Sequence, residues 1–277
     1  MSTSKNVIGD ADNQQETLKF SSFYYSGFLA GEMSCSIIRF KNHNPEGHYF
    51  MPDITVTNSD INLLKRINRI LAGMDGIISA VKGAHNLSFR GKRKVRKVIE
   101  FLDRYPILAG DLAKNRIELI KKALEYLENN RGHSIHQEKT KIMEKYRCKL
   151  RRIKREGFVP KKFSRVVIMS KAIGYFLSGI IDSEGSIGMK KCGNYSCPFI
   201  AVAMKDEKIV NLFRDFIDYG NVRLRKDGVY HCEVNNRDMV RKLIKLFLYQ
   251  YPLRHKKQRG RLVNIQRILN DYTPKSF

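Results

Sequence analysis

Ile61, Leu64, Ile67 and Leu71 fall on one face at the helical period, and Asp60 stands before them as a cap. On either side the pattern changes. Ahead of this helix, SIIRFK (36–41) and DITVT (53–57) have the length and β-branched content of strands, with the polar loop NHNPEGH between. Behind it come two short strands near 77–82 and 86–90, then helical stretches near 92–104 and 110–129. The order then returns. SIGMKK (186–191) and FIAVAM (199–204) form a strand pair, and KDEKIVNLFRDFI is an amphipathic helix. NVRLRKDGVYHCEV is a hairpin turning at Asp227-Gly228, and helices occupy about 236–249 and 256–270. Each half opens on an apolar, small-residue segment, so each predicts α-β-β-α-β-β-α with one further helix: an α+β fold of two pseudo-symmetric domains.

The strand alternation sorts side chains onto two faces. In the last hairpin Val222 and Leu224 oppose Asn221, Arg223 and Arg225; then Tyr230, Cys232 and Val234 turn to the core while His231 and Glu233 turn out. In NLSFR, Leu87 and Phe89 point in while Asn86, Ser88 and Arg90 point out. Arg39 and Lys41 in the first strand, with Ser186 and Lys190 in its counterpart, complete the polar set. These are side chains that hydrogen-bond base edges and phosphates in a major groove.

Charge gives that face a partner. The 277 residues include 52 Lys and Arg against 27 Asp and Glu, a net charge of +25. Solubility needs far less, about 2–8 units, and a surplus of this size points to a polyanion whose phosphates release counterions on binding. Residues 133–165 concentrate the effect, with twelve basic and three acidic residues. They divide the chain into an expected disordered tail (1–16), a first domain (17–132), a basic linker able to track a phosphate backbone (133–165) and a second domain (166–277). No apolar run approaches the ~18 residues of a membrane span. The five cysteines, Cys35, Cys148, Cys192, Cys197 and Cys232, fit no disulfide framework and suggest a reducing, intracellular setting.

The candidate chemistry lies in the repeated segments FYYSGFLAGEMSCSI (23–37) and GYFLSGIIDSEGSIG (174–188). As helices, one presents Ser26, Gly27, Ala30 and Gly31 in a narrow small-residue stripe, and the other Ser178, Gly179, Asp182 and Ser183. Such stripes let two helix backbones approach closely. Packing them together brings Glu32 and Glu184 together at two helix C-termini. Two carboxylates there repel each other and a polyanion, and divalent cations offset both problems; oxygen ligands suit Mg2+. A pair of such ions between carboxylates and a phosphodiester activates water and stabilises the leaving oxygen.

LSGIIDSEG (177–185) and YSGFLAGEM (25–33) resemble the LAGLIDADG motif, and the chain is similar to two-motif, single-chain LAGLIDADG homing endonucleases. That resemblance implies a monomer whose two antiparallel sheets form a saddle over double-stranded DNA, with the motif helices as the domain interface. It assigns Glu32 and Glu184 as catalytic, metal-binding acids for two or three Mg2+ ions, with Mn2+ or Ca2+ as substitutes in binding. It implies a double-strand break across the minor groove of a long asymmetric site, ~20 bp if each half spans about one turn. It also places a lysine beyond a YPL segment: Lys257 in YPLRHKK, with Lys256 as the fallback, whereas YPILAGD puts Asp111 there in the first half. Met33 in place of a glycine and Ala30 in place of an acid mark the first motif as the looser copy. The alternatives within the fold are an intron-RNA-binding maturase and a DNA-binding protein with impaired catalysis.

Overall fold

The structure, a computed structural model, describes residues 20–41, 48–130, 136–156, 170–193 and 195–271. Helix α1 (Phe23–Glu32) runs directly into β1 (Met33–Lys41), which pairs antiparallel with β2 (His48–Asn58). Then come α2 (Ile61–Ala72), the hairpin β3 (Ile77–Val81) and β4 (Ala84–Arg90), α3 (Lys92–Arg104) and α4 (Asp111–Asn129). After α5 (His136–Glu156) the order recurs: α6 (Ser170–Glu184), β5 (Gly185–Cys192), β6 (Tyr195–Met204), α7 (Glu207–Ile217), β7 (Val222–Leu224) and β8 (Tyr230–Val234). Helix α8 (Arg237–Lys245) continues into a π turn, Leu246–Gln250, before α9 (Lys256–Asn270). Two antiparallel four-stranded sheets result, ordered β1-β2-β4-β3 and β5-β6-β8-β7, as the repeated pattern requires.

Local chemistry accounts for these elements. Asp60 accepts from the Asn62 and Leu63 backbone N–H groups at 3.0 and 3.1 Å, and Gly73 closes α2 in the left-handed conformation at φ 62°. Alternation along the strands buries Ile37, Ile54, Val56, Leu87 and Phe89 beneath the helices of one half, and Ile187, Ile200, Val202, Cys232 and Val234 in the other. In the β7–β8 turn Gly228 takes a positive φ of 76°, while Asp227 does not and instead pairs with Arg225 at 2.9 Å.

The region expected to be a basic linker is helical over α5, which packs on α4 and β1 with Met143 and Leu150 buried. Its flanks, like residues 1–16, lie outside the described residues. Among the described residues no helix is long and apolar enough to cross a membrane.

Candidate active site

Helices α1 and α6 are apolar on nearly every side because they bury each other at the centre of the molecule. A Cβ placed on Gly27 would overlap the carbonyl oxygen of Phe176, and one on Gly179 would overlap that of Tyr24. Tyr24 and Phe176 are separated by the same number of residues as the two glycines. One contact is thus made twice, about a pseudo-twofold axis. Ser26 and Ser178 are fully buried in the crossing, Ala30 is buried, and Gly31 lies against Ser183 and Glu184. All eight interface residues expected from the sequence belong to these two helices, and Asp182 reaches across to Tyr24.

Glu32 and Glu184 end the two helices one residue before β1 and β5 begin. Burial pushes the Glu32 carboxyl up to about 7; the Asn58 amide, donating to Oε1 at 3.2 Å, pulls against this, and the nearby Glu184 charge adds to it. Burial also raises Glu184. Two half-buried carboxyls, one of them raised further by the other's charge, favour a shared cation. Among the described residues no cluster of three or more His, Cys, Asp or Glu side chains could hold a metal. The donor set is two carboxylates, which fits Mg2+ bound through one or two carboxylates with its remaining oxygens from water or a phosphate.

The halves surround these acids differently. Asp182 is buried, and its Oδ2 accepts from the Tyr24 hydroxyl (2.6 Å) and from the Arg254 and His255 backbone N–H groups (2.6 and 2.8 Å). Burial raises its carboxyl to about 6 despite these donors. It thereby anchors the YPLRH loop to α6, while the Arg254 guanidinium lies over the Tyr24 and Tyr25 rings at 4.4 and 4.7 Å. Ala30 can do none of this in the first half. Met33, which stands in place of a glycine, sits in ordinary extended backbone (φ −75°, ψ 132°), buried, with its carbonyl accepting from Arg116 Nη1 at 3.3 Å. The Gly185 carbonyl accepts from Gln258 Nε2 at 2.7 Å instead.

The start of each late helix is capped from the opposite half. Asp60 Oδ2 accepts from the Lys256 backbone N–H at 3.0 Å, and Asp206 Oδ2 accepts from that of Leu112 at 2.9 Å. Asp111 pairs with Lys208 at 2.9 Å. Asn58 completes a chain across the interface: it donates to Glu32 and accepts from the Asp60 backbone N–H at 2.9 Å. Lys257 is exposed on the first turn of α9, beside Asp60, on a cleft of about 480 Å³ that also includes Ser59 and His255. The sequence reading missed Asn58 and the reciprocal caps; the one available signal was that both aspartates directly precede an amphipathic helix.

On the open sheet faces, Asn86, Ser88 and Arg90 stand opposite Thr57, Thr55 and Asp53 on β2. Lys190, Asn221, Arg223, His231 and Glu233 line one cleft of about 540 Å³, with Lys190 and Glu233 ion-paired. Ser186 lies on the same face, opposite Ala201, and Arg225 follows β7. Arg39 and Lys41 must be corrected. The register of β1 puts them on the face of Cys35 and Ile37, where Arg39 pairs with Glu144 of α5 at 3.1 Å. Ile38 and Phe40 take the open side instead.

Residues 177–262 match the family model described as LAGLIDADG endonuclease. Solved structures extend the likeness to both halves. The I-LtrWI LAGLIDADG homing endonuclease bound to target DNA superposes with a TM-score of 0.75, at 15% identity over 91% of this chain and 90% of that one. The chain has the LAGLIDADG homing-endonuclease fold. I-GzeII of the same group, in complex with its DNA target, gives a TM-score of 0.73 at 16% identity, covering 90% of this chain and 89% of that one. I-SmaMI bound to uncleaved DNA in the presence of calcium ions gives 0.72 at 17%, covering 92% and 94%. No curated protein matches the sequence. The LAGLIDADG resemblance read from the two motifs is therefore borne out.

Proposed function

We propose that the protein is a site-specific DNA endonuclease of the LAGLIDADG type. One chain cuts both strands of a long asymmetric duplex, using divalent metal held by Glu32 and Glu184. The observation that carries this reading is the pairing of those two half-buried carboxyls at the ends of helices joined by reciprocal glycine–carbonyl contacts. The family match and the DNA-bound neighbours support it, as does the +25 charge. Domains 17–132 and 166–277, joined by 133–165, each take one half-site, and the free cysteines fit a reducing compartment.

Bound Mg2+ supplies an activated water and charge compensation for the leaving oxygen. The chain's own residues position that chemistry. Glu32 is oriented by Asn58, Glu184 lies against Gly31, and Lys257 adds positive charge beside the Glu32 side. The test is cleavage, with Mg2+, of plasmids carrying duplexes recovered by binding selection from a randomised pool. Linear product with short 3′ overhangs is expected, abolished by chelation and by Glu32→Gln or Glu184→Gln. Wild-type cleavage by either variant overturns the paired site.

A further inference from the structure

The two sheets differ most at pseudo-symmetric positions far from the acids. On the first sheet Ile38 stands opposite Met51, and Phe40 opposite Tyr49, the last two rings stacked at 4.8 Å and 15°. These four side chains form one apolar block on the open face, and Tyr49 is 49% exposed. Closer to Glu32 the face carries hydroxyls and an amide on β1, β2 and β4, Ser36, Thr55, Thr57, Ser88 and Asn86, with Ile77 exposed on the edge strand β3. Its one cation in the described strands, Arg90, is paired with Asp53. Counting from the motif acids, Ile38 and Phe40 correspond to Lys190 and Cys192, and by register Met51 and Tyr49 correspond to Cys197 and Tyr195. An exposed tyrosine is thus common to both sheets, while Lys190 and two thiols replace the other three apolar groups. Lys190 borders the charged cleft with Arg223 and His231.

We infer that the first sheet recognises its half-site through thymine methyl groups, packed on Ile38, Phe40, Tyr49 and Met51, while the second reads its half-site chiefly by hydrogen bonding from Lys190, Arg223 and His231. The inference rests on the DNA-binding part of the proposed function. Apolar groups are the complement of the thymine C5-methyl in a major groove, whereas Lys and Arg favour guanine O6 and N7. An apolar block on an exposed face marks a contact site, and the protein's positive charge makes duplex DNA its occupant. Distance fixes the location. Six to eight strand residues from Glu32 span about 20–27 Å, or about six to eight base pairs at 3.4 Å per step.

The experiment begins with binding selection from a randomised duplex pool, then titration of the selected duplex with deoxyuridine replacing thymidine in one half-site at a time. Uracil lacks only the methyl. Thymine enrichment in one half-site, about six to eight base pairs from the centre of the whole site, is expected. Uracil there should weaken binding about fourfold per buried methyl, and uracil in the other half should not. The penalty should shrink in Ile38→Ala/Met51→Ala and persist in Lys190→Ala. A selected duplex indifferent to uracil, or a penalty unchanged in the double variant, overturns this inference and leaves the endonuclease reading standing. Failure to select any duplex overturns both. The uracil arm uses the wild-type chain, so it holds even where a variant folds poorly.

Discussion

The first half surrounds its acid with Asn58, Met33 and Ala30; the second surrounds its own with Met204, Gly185 and Asp182. Yet both halves keep the glycine at the helix crossing, the glutamate at the helix end and the aspartate that caps a helix of the other half. Symmetry survives where one backbone touches another, because only a missing side chain or a matched cap satisfies that geometry. It lapses where side chains alone decide. Asp182 ties a loop to its own motif helix, which Ala30 cannot do in the first half, and Asn58 holds a carboxylate where the second half has Met204 at the matching position.

The strongest way to break this comparison is at the crossing. Gly27→Val and Gly179→Val each drive a side chain into a carbonyl of the facing helix, and each should cost about 3 kcal/mol or more in chemical denaturation. Similar losses are expected; a large disparity would mean the crossing is not twofold.

Next come the acids, through pH. Glu32 in the folded protein titrates at about 7, above its ordinary 4.5. Between those values the folded state keeps a proton that the unfolded state has lost, so the metal-free protein loses stability as pH rises through this window. Glu32→Gln should therefore raise the melting temperature above pH 7 and converge with the parent near pH 4. Glu184→Gln should act in the same direction. Identical pH dependence in the parent and Glu32→Gln would show that the carboxyl is not held in a buried setting.

The smallest effects separate the caps. Burial alone would raise Asp60, but backbone N–H donors from Lys256, Leu63 and Asn62 and the His255 charge hold it below its usual range; burial dominates at Asp206 and raises it. Asp60→Ala removes both its own helix cap and the bond across the halves and should cost about 2 kcal/mol. Asp206→Ala removes the bond to Leu112, with the Asp111 and Lys208 backbone N–H groups also turned to this carboxylate, and should cost about 1 kcal/mol. Equal costs would erase the distinction.

Much of this architecture is legible in the sequence, because helical and strand periods are local and each half repeats the other. The small-residue stripes announce a close helix crossing, and that crossing places Glu32 and Glu184. The period of two also contained the correction to Arg39: counted from Ile37, it falls on the core side. Asn58, the reciprocal caps and the Asp182 anchor were not legible. Each joins residues distant in sequence through one to three hydrogen bonds, and no spacing encodes such contacts. Helix α5 was obscured by its charge, since Met143 and Leu150 are its sparse buried anchors among many lysines and arginines.

The exchange of caps has a consequence for recombination. Each half completes the other's helix start, Asp60 for α9 and Asp206 for α4, so neither is an interchangeable module. A chimera joining either half to one from a relative inherits an acceptor without its donor, unless the graft carries an aspartate ahead of its second helix and a free backbone N–H at the start of its last. Half-exchange between such proteins should lose about 1–2 kcal/mol at each cap that the graft does not supply, before any base pair is tested.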